Sequence, residues 1–451
     1  MLDSLTTSLE KPTRVRYQVL AMLFIVSTFS YGDRVVLSIA GISFTKALHI
    51  DPLHMGYLFS GFSWAYVAAQ IPSGGLLDRY GAKSVYGISI LLWSLCAVLA
   101  GFAGFLAPAL AFSVIFSLRL LSGLAQAPVF PGNGRVVAAW FPTAERGTAS
   151  AIFNSSQYFA VVLFAPIVAW IAHTRGWKEC FWFLGIVGAT LTILWFKVVY
   201  DVNAHPTINA GEVRVIEHGG GLGSIGPETR AQGAVGLTWS TVGKLLTNRM
   251  LIGIYLGQYC IVTLTWFFLT WFPLYLSQAR HMSIMKVGFV ATLPALCGSV
   301  GGISGGLFSD KLLRAGRSLT FARKAPIIMG MSLSMTMMLC NYINTQWGII
   351  LLMSFAFFGK GFGALGWTVI SDTSPKGMIG LNGSVFNLIG NIAGITTPII
   401  IGYIVQKTGS FHDALIYVAA TALLAIVSYV PIVGTIRRLE PSDLVTTQPA
   451  S

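Results

Sequence analysis

The chain has 451 residues, of which 54% are apolar and only 10% are Asp, Glu, Lys or Arg, with 49 glycines, 29 phenylalanines and 12 tryptophans. A soluble protein cannot hide that much apolar surface, and a mean hydropathy of +0.71 with apolar runs of about twenty residues marks a chain that crosses a membrane many times. The net charge of +13 is spread over loops and nowhere packed densely enough to follow a phosphate backbone, so the composition argues against nucleic acid as a partner.

Lys11, Arg14 and Arg16 lead straight into an apolar stretch too long for the core of a signal peptide, which reads as a retained first span. Apolar helices are expected at 17–41, 55–76, 84–104, 108–130, 147–172 and 179–200, then at 250–277, 284–306, 325–342, 346–369, 381–404 and 413–436. Each can cross a hydrocarbon core roughly 30 Å thick at about 1.5 Å per residue. Barrel strands alternate over about ten residues, and these segments do not. The expected fold is therefore an all-α polytopic membrane protein of twelve transmembrane helices in two six-helix halves, 1–200 and 250–451. Between them, residues 201–249 carry Pro206, Gly219-Gly220-Gly221 and Gly226-Pro227, the composition of a linker, with a short amphipathic helix expected around Thr238–Leu246. Gly74-Gly75-Leu76-Leu77-Asp78-Arg79 after the second span and Gly305-Gly306-Leu307-Phe308-Ser309-Asp310-Lys311 after the eighth repeat one loop chemistry at equivalent positions, as an internal duplication would.

With an even number of spans both termini fall on one side. The loops on that side hold twenty Lys or Arg, Arg230 and Lys376 included, against six (Lys46, Arg175, Lys178, Arg280, Lys286, Lys407) on the other, which predicts cytoplasmic termini.

Well inside the spans, away from their ends, lie four formally charged residues, Asp33, Arg34, Arg119 and Lys360. A charge at the bilayer centre costs about 2.5–3.5 kcal/mol on insertion scales, so these face a bundle interior or a wet cavity. Asp33 and Arg34 are adjacent and point about 100° apart on a helix, so one can face a cavity while the other faces a neighbouring helix. Arg119, Gly123 and Gln126 share a stripe, joining a fixed fork of donors to a close-approach residue and an amide, a surface suited to an oxygen-rich anion. Lys360, between Gly359 and Gly361, either adds positive charge to the cavity or reaches an interface, and its glycines can open a bend. Tyr66 and Gln70, Asn154 and Gln157, Gln258 and Thr265, Trp367 and Thr368, and Asn387 and Asn391 recur at helical spacing. As a set they favour a polyhydroxylated ligand, with Trp367 placed to floor a sugar site.

Enzymatic chemistry finds no support. The seven histidines fall in loops or near helix ends, and the five cysteines are widely spaced with no C-x-x-C pair. Gly359-Lys360 lacks the preceding glycine of a phosphate loop. No cofactor is expected.

Tyr31-Gly32-Asp33-Arg34, Gly74-Gly75-Leu76-Leu77-Asp78-Arg79-Tyr80-Gly81, Pro128-Val129-Phe130-Pro131-Gly132-Asn133 and Trp140-Phe141-Pro142 before Glu145-Arg146-Gly147 together resemble the anion:cation symporter family of the major facilitator superfamily. Phe153-Asn154-Ser155-Ser156-Gln157-Tyr158, Thr270-Trp271-Phe272-Pro273 and Phe357-Phe358-Gly359-Lys360-Gly361 are most similar to the bacterial glucarate/galactarate carriers of that family. Galactonate and hexuronate carriers share most of these motifs. The resemblance implies proton-coupled import of a sugar acid by alternating access, across a bacterial inner membrane, by a monomer embedded in lipid. It implies a proton site at Asp33, coupling or carboxylate-binding roles for Arg34 and Arg119, and sugar-acid contacts from Tyr31, Tyr66, Gln258, Trp367 and Asn387. Asp78, Arg79, Asp310 and Lys311 are expected to make cytoplasmic contacts that break when that side opens. A monocarboxylic substrate and an uncoupled channel are the alternatives.

One position departs from the family. Where relatives carry a second proton-binding glutamate, this chain has Gln126, which imitates a permanently protonated glutamate. Either coupling uses fewer protons or another group, or glutamine was placed there to hold one conformation.

Overall fold

The computed structural model describes residues 11–226, 239–374 and 378–440. Pro227, Arg230, Thr238 and Lys376, used above, lie outside them. Regular structure among the described residues is helical throughout: α1 (Val15–Ala47), α2 (Pro52–Tyr80), α3 (Ala82–Phe102), α4 (Pro108–Gln126), α5 (Val129–Trp140), α6 (Arg146–Thr174) and α7 (Trp177–Val198), then the short α8 (Ala210–His218) and α9 (Trp239–Thr247). There follow α10 (Arg249–Trp266), α11 (Ile284–Val290), α12 (Thr292–Arg314), α13 (Leu319–Ser334), α14 (Gln346–Phe362), α15 (Gly366–Thr373), α16 (Ile379–Thr408) and α17 (His412–Val427).

Local chemistry sets many of these limits. Asp51 caps α2 by accepting from the His54 amide at 2.8 Å, with Pro52 in the first turn. Gly409, at φ +67°, ends α16 in the left-handed region. Among the described residues, ten helices, counting consecutive pieces such as Pro108–Trp140 and Gln346–Thr373 as one, are long and apolar enough to cross a membrane. The chain is thus an all-α polytopic membrane protein. α2, which carries Ser60, Ser63, Gln70 and Ser73, is not among them.

α13 departs from the expected 325–342 helix. It starts earlier, and after Ser334 the chain winds on as a 3-10 run over Met335–Tyr342. There Ser334 Oγ donates to the Gly330 carbonyl at 3.0 Å and Thr336 Oγ1 to the Leu333 carbonyl at 2.6 Å, hydroxyl bonds that compete with the α-helical ladder. The expected span at 108–130 is likewise divided, since Pro128 and Pro131 have no amide hydrogen to continue α4.

The bundle is closed at one end. Gly56 of α2 lies against the Pro398 carbonyl of α16 so closely that a Cβ would collide, and Gly288 of α11 meets Ala165 and Ala169 of α6 in the same way. Ser38 Oγ of α1 donates to the Thr270 carbonyl at 2.7 Å, and the Leu53 amide to Gln406 Oε1 at 3.1 Å. These contacts join helices before the central segment to helices after it, at the end where α1 stops and α16 stops. The opposite end carries Val15, Tyr80 and Thr373, and there the two sets of helices part.

Within the central segment, residues 201–226 are held against the helices before it. Asn209 caps α8, and Glu212, fully buried, accepts from Thr13 Oγ1 at 2.7 Å and from the Val15 and Arg16 amides at 2.9 and 3.1 Å. Arg16 bridges Glu212 to Glu145. Farther along, Leu222 donates to the Ala138 carbonyl at 3.1 Å, and the Ile225 carbonyl accepts from the Ala82 amide at 2.7 Å. Ile216, Ile225 and Val202 are buried. Residues 201–226 are therefore strapped across α1, α3, α5 and α6. α9 falls where an amphipathic helix was expected.

Candidate functional site

Between the two sets of helices lies a cavity of about 710 Å³, within the range of small-molecule sites. It reaches from Tyr31 and Trp266, beneath the closed end, to Asp310 at the open one. Its wall includes Tyr31 and Arg34 of α1, Tyr66 of α2, Asn154, Gln157 and Tyr158 of α6, and Gln258 and Trp266 of α10. Lys360 of α14, Trp367 of α15 and Asn387 and Asn391 of α16 complete the list that matters chemically. Eight of the residues expected to touch substrate thus share one space. Thr368 does not line it, because the α15 helix turns Trp367 to the cavity and its successor about 100° away.

The charged residues divide into two groups. Arg34 faces the cavity with its guanidinium carbon 4.6 Å from both the Tyr31 and the Phe62 ring centroids, and its Nε has no hydrogen-bond partner. Lys360 faces it from the other side, its ammonium 5.4 Å from the Tyr158 ring centroid. Asp33 and Arg119 instead form a buried pair behind the wall, Arg119 Nη1 donating to Asp33 Oδ2 at 2.7 Å. Gln126 Nε2 donates to the same oxygen at 3.2 Å, and Ser30 Oγ donates to Gln126 Oε1 at 2.7 Å. Nothing places Arg119 in the cavity: its stripe with Gly123 and Gln126 faces α1 and α2. Gly123 is what lets α4 sit this close, since a Cβ there would strike the Phe62 carbonyl.

One helical step therefore separates two environments. Consecutive residues of α1 put Arg34 on the cavity and Asp33 on α4. The arrangement offers an anion two cations on the cavity wall and keeps a carboxylate behind that wall, beside an amide that carries no charge. Protonating Asp33 would weaken its hold on Arg119.

At the open end, the carboxylates of the repeated loops pair within their own set of helices. Asp78 accepts from Arg135 at 2.7 Å, while Arg323 lies 3.6 Å from Asp310 and 2.7 Å from Asp372. Arg79 and Lys311 are exposed. The residues the sequence reading passed over are aromatic: Phe62, Phe130, Tyr158 and Trp266. Their signal was position beside chosen polar residues, Tyr158 next to Gln157 and Trp266 next to Thr265.

The chain is 55% identical over 429 residues to the probable galactarate/D-glucarate transporter GudP of Bacillus subtilis, covering 95% of this chain and 94% of that one. It is 53% identical over 440 residues to the protein of the same name in Escherichia coli, covering 97% and 98%. Among solved structures, a bacterial homolog of the human lysosomal transporter Spinster in an inward-facing, unoccupied conformation superposes with a TM-score of 0.75 at 14% identity, over 97% of this chain and all of that one. Residues 23–398 match the model of the Major Facilitator Superfamily, and with two sets of helices around one central cavity the chain belongs to that superfamily.

Proposed function

We propose that the protein is a proton-coupled symporter that imports hexarate sugar acids, glucarate and galactarate, by alternating access. The observation that carries this reading is the cavity: cationic at Arg34 and Lys360, lined by amides and tryptophans, closed at one end and backed by a buried carboxylate. An anion with many hydroxyls fits such a wall, and the closed end is unlike an open channel. The names of the two GudP relatives support the same substrates.

In this reading α2 and α13 also cross the membrane, giving twelve spans in two six-helix halves, 1–200 and 250–451, with both termini in the cytoplasm of a bacterial cell. The open end is then cytoplasmic. The protein works as a monomer. Asp33 takes up a proton from outside and loosens Arg119; Arg34 and the amides of Gln157, Gln258 and Asn387 engage the substrate, with Trp367 under its carbon chain. A neutralised cluster and a filled cavity lower the barrier to occlusion, and the halves rock about the central cavity, so that the closed-end contacts part when the cytoplasmic end shuts. Asp78, Arg79, Asp310 and Lys311 make contacts across the cytoplasmic end when that end shuts.

The test is transport by the purified protein in liposomes, acidic outside and neutral inside. Labelled D-glucarate is expected to accumulate above its outside concentration, and a protonophore to abolish the excess. Simple equilibration of the label, unaffected by the protonophore, refutes coupling.

A further inference from the structure

Lys360 is a buried cation to which the described residues supply no counterion. Among the described residues no carboxylate lies within ion-pairing range of its ammonium, which is faced by the rings of Tyr158 at 5.4 Å and Phe357 at 5.3 Å. The residue is only 4% exposed, and what accessibility it has opens on the cavity. An ammonium in that setting has given up most of its hydration and received only ring faces in return.

Its backbone is held firmly. A Cβ on Gly359 would collide with the Gly330 carbonyl of α13, and one on Gly361 with the Gly298 carbonyl of α12. The flanking glycines therefore wedge α14 between two neighbours and do not open a bend at Lys360. The helix breaks farther on, at Gly363–Leu365. Tyr158 comes from the helices before the central segment and Lys360 from those after it, so the ammonium sits on the seam between them.

Arg34 presents the matching problem on the opposite wall: a buried guanidinium with an unpartnered Nε, surrounded by Tyr31, Phe62 and Trp266. The cavity thus holds two cations, one from each set of helices, and none of the wall residues supplies a carboxylate to either. Asp310 lies at the mouth, beside Arg323. Resting on the hexarate reading above, we propose that Lys360 is the specificity residue for dicarboxylates: Arg34 takes one terminal carboxylate of the substrate, Lys360 takes the other, and a monocarboxylic sugar acid leaves Lys360 buried without an anion. Occupation by a diacid also ties the two sets of helices together through its own carbon chain.

The experiment measures equilibrium binding of D-glucarate, D-galactarate and D-galactonate by calorimetry on the full chain, on Lys360→Gln and on Lys360→Arg. The parent is expected to bind both hexarates at least tenfold more tightly than galactonate. Lys360→Gln should lose at least tenfold for the hexarates while galactonate binding moves by less than threefold, and Lys360→Arg should keep the preference. Unchanged galactonate binding also establishes that the glutamine variant is folded. A proportional loss for diacid and monoacid, or an undiminished hexarate preference in Lys360→Gln, overturns the assignment. A parent protein that prefers galactonate, or binds none of the three, instead overturns the hexarate reading on which it rests.

Discussion

Replacing Gln126 by glutamate puts a second carboxylate where an amide now donates to Asp33 Oδ2 at 3.2 Å. Ser30, which donates to Gln126 Oε1 at 2.7 Å, can serve the new group equally well, and the change adds no volume, so the buried site accepts it sterically. Electrostatically it does not stay the same. Two unit charges at that separation repel by about 5 kcal/mol at an effective dielectric constant near 20, and Arg119 offers one guanidinium to share between them. The pair is therefore expected to hold one proton in this conformation. Because Gln126 lies behind the cavity wall, equilibrium binding of glucarate should change by less than threefold. Proton uptake on binding, read by calorimetry in buffers of different ionisation enthalpy, should rise by up to one proton. Accumulation driven by a pH gradient in liposomes should rise severalfold. Equal coupled uptake by both forms, with no extra proton taken up, refutes the reasoning and leaves Asp33 as a sufficient coupling group.

Three further outcomes are expected. Asp33→Asn strands Arg119 in a buried site, where breaking one side of an ion pair costs about 3–5 kcal/mol; the melting temperature in detergent should fall, the double variant Asp33→Asn/Arg119→Gln should melt higher than the single one, and exchange of substrate should outlast pH-driven accumulation. A Gly56→Val side chain has no room beside the Pro398 carbonyl, so it should prise open the closed end, and a cysteine at Ser38, 1% exposed in the parent, should then react with a hydrophilic thiol reagent several times faster. His205, outside the spans, packs at 5.5 Å against the rings of Trp140 and Tyr200, and burial holds its imidazole below the ordinary value of 6.5. A depressed value means that the strap over residues 201–226 is fully stable above that pH and loses stability as pH falls through it and then through the lower folded value. Limited proteolysis within the strap should accelerate on acidification, and His205→Phe should flatten the response.

The charges buried in the spans were legible because a membrane leaves few explanations for them. Their depth singled out Asp33, Arg34, Arg119 and Lys360, and the helical stripe Arg119-Gly123-Gln126 placed three residues on one face. Which face met the cavity was not legible: that depends on how α1 and α4 are rotated against α2, a matter of packing at Gly123 and Phe62 that periodicity in one segment cannot express. The central segment held a helix that went unread for a different reason. Its glycines and Pro206 read as a linker, and within it Asn209 with Glu212 three residues on is a helix-start signal that Val213 and Ile216 continue at helical spacing. The breaks in α4 and at Gly363–Leu365 interrupt continuous apolar runs, which hydropathy alone merges into single spans.

Arg34 and Asp33 occupy consecutive positions on α1, and the wall of one turn of helix is all that stands between ligand and buried acid. On the proposed function, recognition and energy conversion are thus written in separate inks on one strip of chain. If those roles hold, substitutions around the cavity at Lys360, Gln258 or Asn387 retune which acid is accepted without touching the Asp33–Arg119–Gln126 cluster, and substitutions in the cluster alter proton use without altering taste. A lineage built this way can change diet and driving force independently, one helix face at a time.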